Sequence, residues 1–155
     1  MFKKFVAAWL SFAVLAVAMK VFFDYREQTR RTALYQQSKV NANGLFLAVK
    51  EYQLAHHSFP IDLADVNEFF APTSEGGYTS RPFDELLNSY VLRAPQDWDD
   101  VILIPKNCIP KNGVPLSDGA YGARATDVWW FSGRQIEMFI EKEKQAKAAA
   151  AGVPL

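Results

Sequence analysis

The chain is short of the residues that build chemistry. Cys108 is its only cysteine, so no intrachain disulfide can form, and a lone thiol serves best as a small apolar side chain. The two histidines, His56 and His57, are adjacent. Neighbouring side chains at a helix end point in different directions, and a single cysteine cannot complete a tetrahedral zinc shell with them. The same shortage leaves no serine or cysteine nucleophile with a base and an orienting group. Charge of one sign is lacking too. Lys plus Arg and Asp plus Glu number 17 each, which excludes the basic excess of a nucleic-acid binder. No proline precedes Pro60, and Phe5 to Met19 contains no acid. The expectation is a non-enzymatic protein with no cofactor and no small-molecule substrate. Its 155 residues leave room for one compact domain plus an anchor.

What is present, first of all, is a long apolar run. Met1 to Lys4 form a short basic head, and Phe5 to Phe23 are apolar apart from Ser11 and Lys20. Such a run is about long enough to cross a ~30 Å hydrocarbon core at ~1.5 Å per residue. Residues 1–23 therefore read as a transmembrane anchor or a signal peptide. Ala16-Val17-Ala18 fits a signal-peptidase site. Against cleavage, the apolar character resumes as Val21-Phe22-Phe23, and Lys20 can lift its ammonium toward the headgroups. Lys3 and Lys4 lie on one side of the run, and Lys20, Arg26, Arg30 and Arg31 on the other. That count alone favours a cytoplasmic C-terminal part. A short basic head leading directly into an apolar run is nonetheless how export signals begin, and the arginines can sit among anionic headgroups.

Residues 24–57 read as an amphipathic continuation of the same helix. Ala42, Leu45, Val49 and Tyr52 recur at helical spacing and form a core stripe, widened by Phe46 and Leu54. Pro60 stops the helix. Residues 58–148 then form a globular head. Asp62 to Phe70 and Asp84 to Tyr90 read as short helices, with a Gly76-Gly77 loop over Ser74 to Ser80. Val101 to Ile104 and Asp127 to Phe131 read as strands, and Asn112-Gly113 and Asp118-Gly119 as turns. Gln135 to Ala149 returns to helix, and 149–155 is a frayed tail. The fold class is α+β: a long N-terminal membrane-anchored helix packed on a small antiparallel sheet, with a C-terminal helix.

Three segments carry a family likeness. Asn43 to Tyr52 resembles the "ALxxY" end of the long helix in the major pseudopilin of type II secretion. His57-Ser58-Phe59-Pro60, with Leu63 and Val66, is similar to that family's "G-x-Y-P-x-x-L-x-x-L" continuation. Gly122 to Phe131 looks like the "ADGHVEWF" strand of pilin-derived proteins, with a helix following. The chain thus resembles a divergent member of the type IV pilin and pseudopilin superfamily, lacking the prepilin leader motif. The resemblance implies a single-pass protein of the bacterial cytoplasmic membrane with its head on the periplasmic or extracytoplasmic side. It further implies pilin-like or secretion-system partners. The alternative is a membrane-anchored or exported binding module that forms no filament.

Candidate sites are few. Asp97, Asp99, Asp100 and Asp118 offer hard oxygen ligands in loops, and the resemblance makes calcium their candidate ion. Solvated turn acids are the simpler reading of the same residues. At the helix end, His56 and His57 can complement the helix dipole. Trp129 and Trp130 must face opposite sides of a strand. One is expected in the core, and the other as an exposed interaction residue or beneath the C-terminal helix.

Overall fold

The shortage of helix breakers before Pro60 is expressed as one uninterrupted helix, α1, Phe2–His56. The computed structural model describes residues 2–95, 100–109 and 119–150, without the side chains of residues 2–8, 10 and 11. His57 closes α1 in the left-handed region, at φ 53°, and its amide donates to the Gln53 carbonyl. The chain forms two compact units, Met1–Leu34 and Tyr35–Leu155. The division between them falls inside α1.

The second unit holds every buried residue among those described, from Ser38 onward. After α1, a 3₁₀ helix spans Leu63–Phe69 where a short helix was expected. Asp62 and Asp65 cap it reciprocally, each side chain accepting from backbone at the other end of the turn. The loop expected over Ser74 to Ser80 is instead a small hairpin. Strands β1, Ser74–Glu75, and β2, Tyr78–Thr79, pair antiparallel. Gly76 and Gly77 turn between them at φ 59° and 83°, which a two-residue hairpin of this hand requires.

The second expected short helix ends early: α2 covers Phe83–Leu87, and Tyr90 opens strand β3, Tyr90–Leu92. Burial of the Tyr90 ring in the core fixes that switch. Strands β4, Val101–Pro105, β5, Gly119–Arg124, and β6, Val128–Ser132, complete an antiparallel sheet in the order β3-β4-β5-β6. The expected strands correspond to β4 and β6. The Asn112-Gly113 turn and Asp118 lie outside the described residues, and Gly119 begins β5.

A register shift between the Val101–Arg124 and Leu103–Ala123 pairs places a bulge at Ile102. Ile102 and Leu103 consequently join one core, while Val101 and Ile104 join the other. The first core holds Ala42, Leu45 and Val49 of α1, all fully buried, against Val66, Leu86 and the sheet. Tyr52 is half-buried, its ring edge-on to Phe69 at 5.6 Å. Phe46 packs at the margin, but Leu54 is 70% exposed and does not belong to the stripe. The second core joins Val101, Ile104, Ala120 and Phe131 to Ile136 of helix α3, Gly133–Ala150. The fold is thus α+β, with α1 on one sheet face and a C-terminal helix on the other.

Helix α3 starts two residues earlier than expected because Ser132 and Gln135 form a capping box. The Gln135 Oε1 accepts from the Ser132 amide at 2.9 Å, and the Ser132 Oγ accepts from the Gln135 amide at 3.4 Å. At the other end α3 includes Ala149 and Ala150, where a frayed tail was expected, and 151–155 lie outside the described residues.

Polar groups tie α1 to the rest of the head. Asn41 Oδ1 accepts from the Arg81 amide and from Gln37 Nε2, and Thr73 Oγ1 donates to the Val40 carbonyl. Ser38 does the most. Its Oγ accepts from the Tyr121 amide at 3.0 Å, so a helix side chain completes a sheet hydrogen bond. Ser38→Ala is expected to cost about 1–3 kcal/mol, because it strands that amide away from water. Urea unfolding of the variant checks this, and a loss below ~0.5 kcal/mol would mean that water reaches the amide.

Candidate functional site

Within the first unit, the helix presents apolar side chains with nothing over them among the described residues. Phe12, Val14, Leu15, Val17, Met19, Val21, Phe22 and Phe23 are each between 51% and 68% exposed. At ~100° per residue they surround the helix, with a widest gap of about 120° filled by Ala13, Ala16 and Lys20. A helix that is apolar all round is stable only when something apolar encloses it. Among the described residues no helix is long and apolar enough to cross a membrane. The expected span, Phe5 to Phe23, begins with residues whose side chains lie outside that description. Past Tyr25 the helix surface turns polar, and Thr29 and Thr32 return their hydroxyls to the carbonyls of Tyr25 and Gln28.

The second unit carries an aromatic cluster that local sequence signals do not reveal. Tyr35, Tyr121 and Trp130 meet pairwise with ring centroids 4.9–5.2 Å apart. The Tyr121 hydroxyl donates to that of Tyr35, 86 positions away in the chain. Trp130 is half-buried in this cluster, while Trp129 is 46% exposed with the Arg124 guanidinium 4.7 Å above its ring. The two tryptophans do face opposite sides, but neither is a core residue as expected. Phe131 takes that place, because it lies where α3 closes over the sheet.

Two tyrosines of this region hold their protons more tightly than usual. Burial pushes the Tyr90 hydroxyl up, against a smaller opposing effect of the Ser38 hydrogen bond. Tyr121 is also raised, first by burial and then by the hydrogen bond and charge of Tyr35. Both shifts favour the neutral phenol in the folded state. The associated stability is complete below the ordinary tyrosine range near pH ~10 and is lost as pH rises through it. The melting temperature should therefore fall above pH ~10, less steeply in Tyr90→Phe and Tyr121→Phe. Identical alkaline slopes in wild type and both variants would refute the assignment.

Of the calcium candidates, Asp97, Asp99 and Asp118 lie outside the described residues. Asp100 is half-buried, and its carbonyl accepts from the Ala125 amide. Among the described residues, no three His, Cys, Asp or Glu side chains are grouped to hold a metal. The His56 ring stacks 4.4 Å from Tyr52 and 5.6 Å from Phe69, an aromatic packing role. Cys108 packs against the α3 side core. Among the described residues, then, the first unit presents exposed apolar side chains, and the second carries an aromatic cluster with a partly exposed Trp129 beside it. Comparison with protein-family models, with curated proteins and with solved structures finds no match for this chain.

Proposed function

We propose that the protein is a non-enzymatic, pseudopilin-like component of a type II secretion or type IV pilus-like assembly, acting through protein contacts. In this reading residues 1–23 anchor it in the bacterial cytoplasmic membrane, and the head lies on the periplasmic side. The observation that carries the reading is the helix from Phe12 to Phe23, whose large apolar side chains are exposed over about two thirds of its circumference. Lipid or the helices of sister subunits supply the apolar enclosure it needs. The continuous run of α1 into an antiparallel-sheet head adds support, since that is the plan the sequence resembles.

A second reading, an anchored or exported binding module that forms no filament, is favoured by one observation. Pilins place a glutamate in the apolar helix that pairs with a neighbour's amine inside the filament, whereas Phe5 to Met19 holds no acid. One experiment tests both readings. Cysteine crosslinking along α1 in membranes, with mass analysis of the mature N-terminus, should yield ladders of the protein and co-purified secretion ATPase or platform protein. A membrane-bound monomer free of those partners would establish the second reading, and a protein found only in the cytosol would overturn both.

A further inference from the structure

We infer that the outer edge of β3 binds an extended, acidic peptide segment of a partner protein, which adds a fifth strand to the sheet. The hydrogen-bond register leaves this edge open. Arg93 donates to the Ile102 carbonyl and Lys106 to the Ser89 carbonyl, both at 2.9 Å. With Val91 opposite Ile104, residues 89, 91 and 93 therefore face β4. The amides and carbonyls of Tyr90 and Leu92 consequently point away from the sheet. Among the described residues none of them has a backbone partner. An unpaired edge of this kind is a template for another strand.

Both sides of the edge provide room for the side chains of an added strand. On the α3 face, Val91, Ile104 and Ile140 floor a groove of about 370 Å³. A second cleft, of about 540 Å³, runs along the edge itself from Tyr90 to Ala94 and reaches from Ile61, Asp62, Leu63 and Leu87 across to Lys106 and Lys147. The side chains of a bound strand alternate to either side of this edge, and both the groove and the cleft lie open along it.

Charge selects the occupant. Lys106, Lys144 and Lys147 rim the apolar groove with Glu143 as the one acid, and Glu143 is already engaged by Lys147 at 3.6 Å. Lys106 and Lys144 have no ion-pair partner among the described residues. A phosphate or an anionic surface would satisfy the lysines but not the row of alternating backbone donors and acceptors. Only a peptide backbone with nearby carboxylates satisfies both.

The test uses the full chain in uncharged detergent and the peptide acetyl-Glu-Asp-Val-Thr-Val-Asp-Glu-amide. Binding should protect the Tyr90 and Leu92 amides from hydrogen exchange. The counterpart with lysine at every acidic position should bind more weakly. Combined Lys106→Glu and Lys144→Glu, both at the exposed rim, should weaken the acidic peptide about tenfold. The inference is overturned by unchanged exchange at Tyr90 and Leu92, by equal binding of the two peptides, or by full affinity in the charge-reversed protein. It is also overturned if phosphatidylglycerol vesicles displace the peptide where phosphatidylcholine vesicles do not, since the lysines would then serve an anionic surface.

Discussion

Phe131→Ala will lower the unfolding free energy of the head by about 3–5 kcal/mol, the range for truncating a fully buried aromatic side chain. Phe131 is 1% exposed and meets the Phe139 ring edge-on at 5.7 Å, so it joins β6 to α3. The surroundings cannot close over the gap. Strand backbones already approach so tightly that a Cβ on Gly122 would lie 2.2 Å from the Leu103 carbonyl oxygen. Trp129→Ala, which removes a larger side chain two positions away, should cost under about 1 kcal/mol, because Trp129 is 46% exposed. Urea titrations with unchanged m-values would establish the contrast. Equal losses at the two positions would show that Trp129 is enclosed in the working protein.

On the proposed anchoring by residues 1–23, Leu15→Arg combined with Val17→Arg is expected to release the protein from the membrane fraction. The two positions are about 160° apart on the helix, so no rotation brings both guanidinium groups to one polar side. Each arginine at the centre of a span costs about 2.5–3.5 kcal/mol on insertion scales, and together they shift partitioning by roughly four to five orders of magnitude. The head should stay folded, because buried residues among those described begin only at Ser38. Leu54→Arg, at a site 70% exposed on the head, serves as the control and should leave partitioning unchanged. Retention of the double variant in carbonate-washed membranes would exclude lipid as the medium around this helix.

How much of this architecture is legible in the sequence depends on whether the deciding force is local. The long helix is legible because no proline and only one glycine, Gly44, fall between Phe2 and His56. Strands β4 and β6 are legible because Val-Ile-Leu-Ile and Val-Trp-Trp-Phe are β-rich runs. Strand β5 is not, since Gly-Ala-Tyr-Gly-Ala-Arg has almost no strand propensity. Its small residues are demanded by the backbones on either side, and that demand exists only after the sheet has formed. Strand β3 fails for a related reason, because its three residues follow a helical pattern and are extended only by pairing with β4. The start of α3 was readable from Ser132 and Gln135, whose spacing is that of a capping box. At the candidate surfaces, composition announces the apolar helix, whereas the Tyr35–Tyr121–Trp130 cluster depends on contacts between distant positions.

The Ser38 bond to Tyr121 also has a kinetic consequence. The two residues are 83 positions apart. On a ribosome adding ~5–20 residues per second, α1 waits about 4–17 s for that partner to be made. Strands β5 and β6 and helix α3, by contrast, are consecutive and need only short loops to close. The C-terminal third is therefore expected to gather early and the Ser38 end of α1 to dock last, leaving the sheet-facing part of the stripe of Ala42, Leu45 and Val49 uncovered until then. Pulse-labelled hydrogen exchange during refolding would reveal that order as early protection in β5 and β6 and late protection of the Tyr121 amide. For as long as that delay lasts, the sheet-facing part of the stripe is available to chaperones, membranes and other copies of the chain.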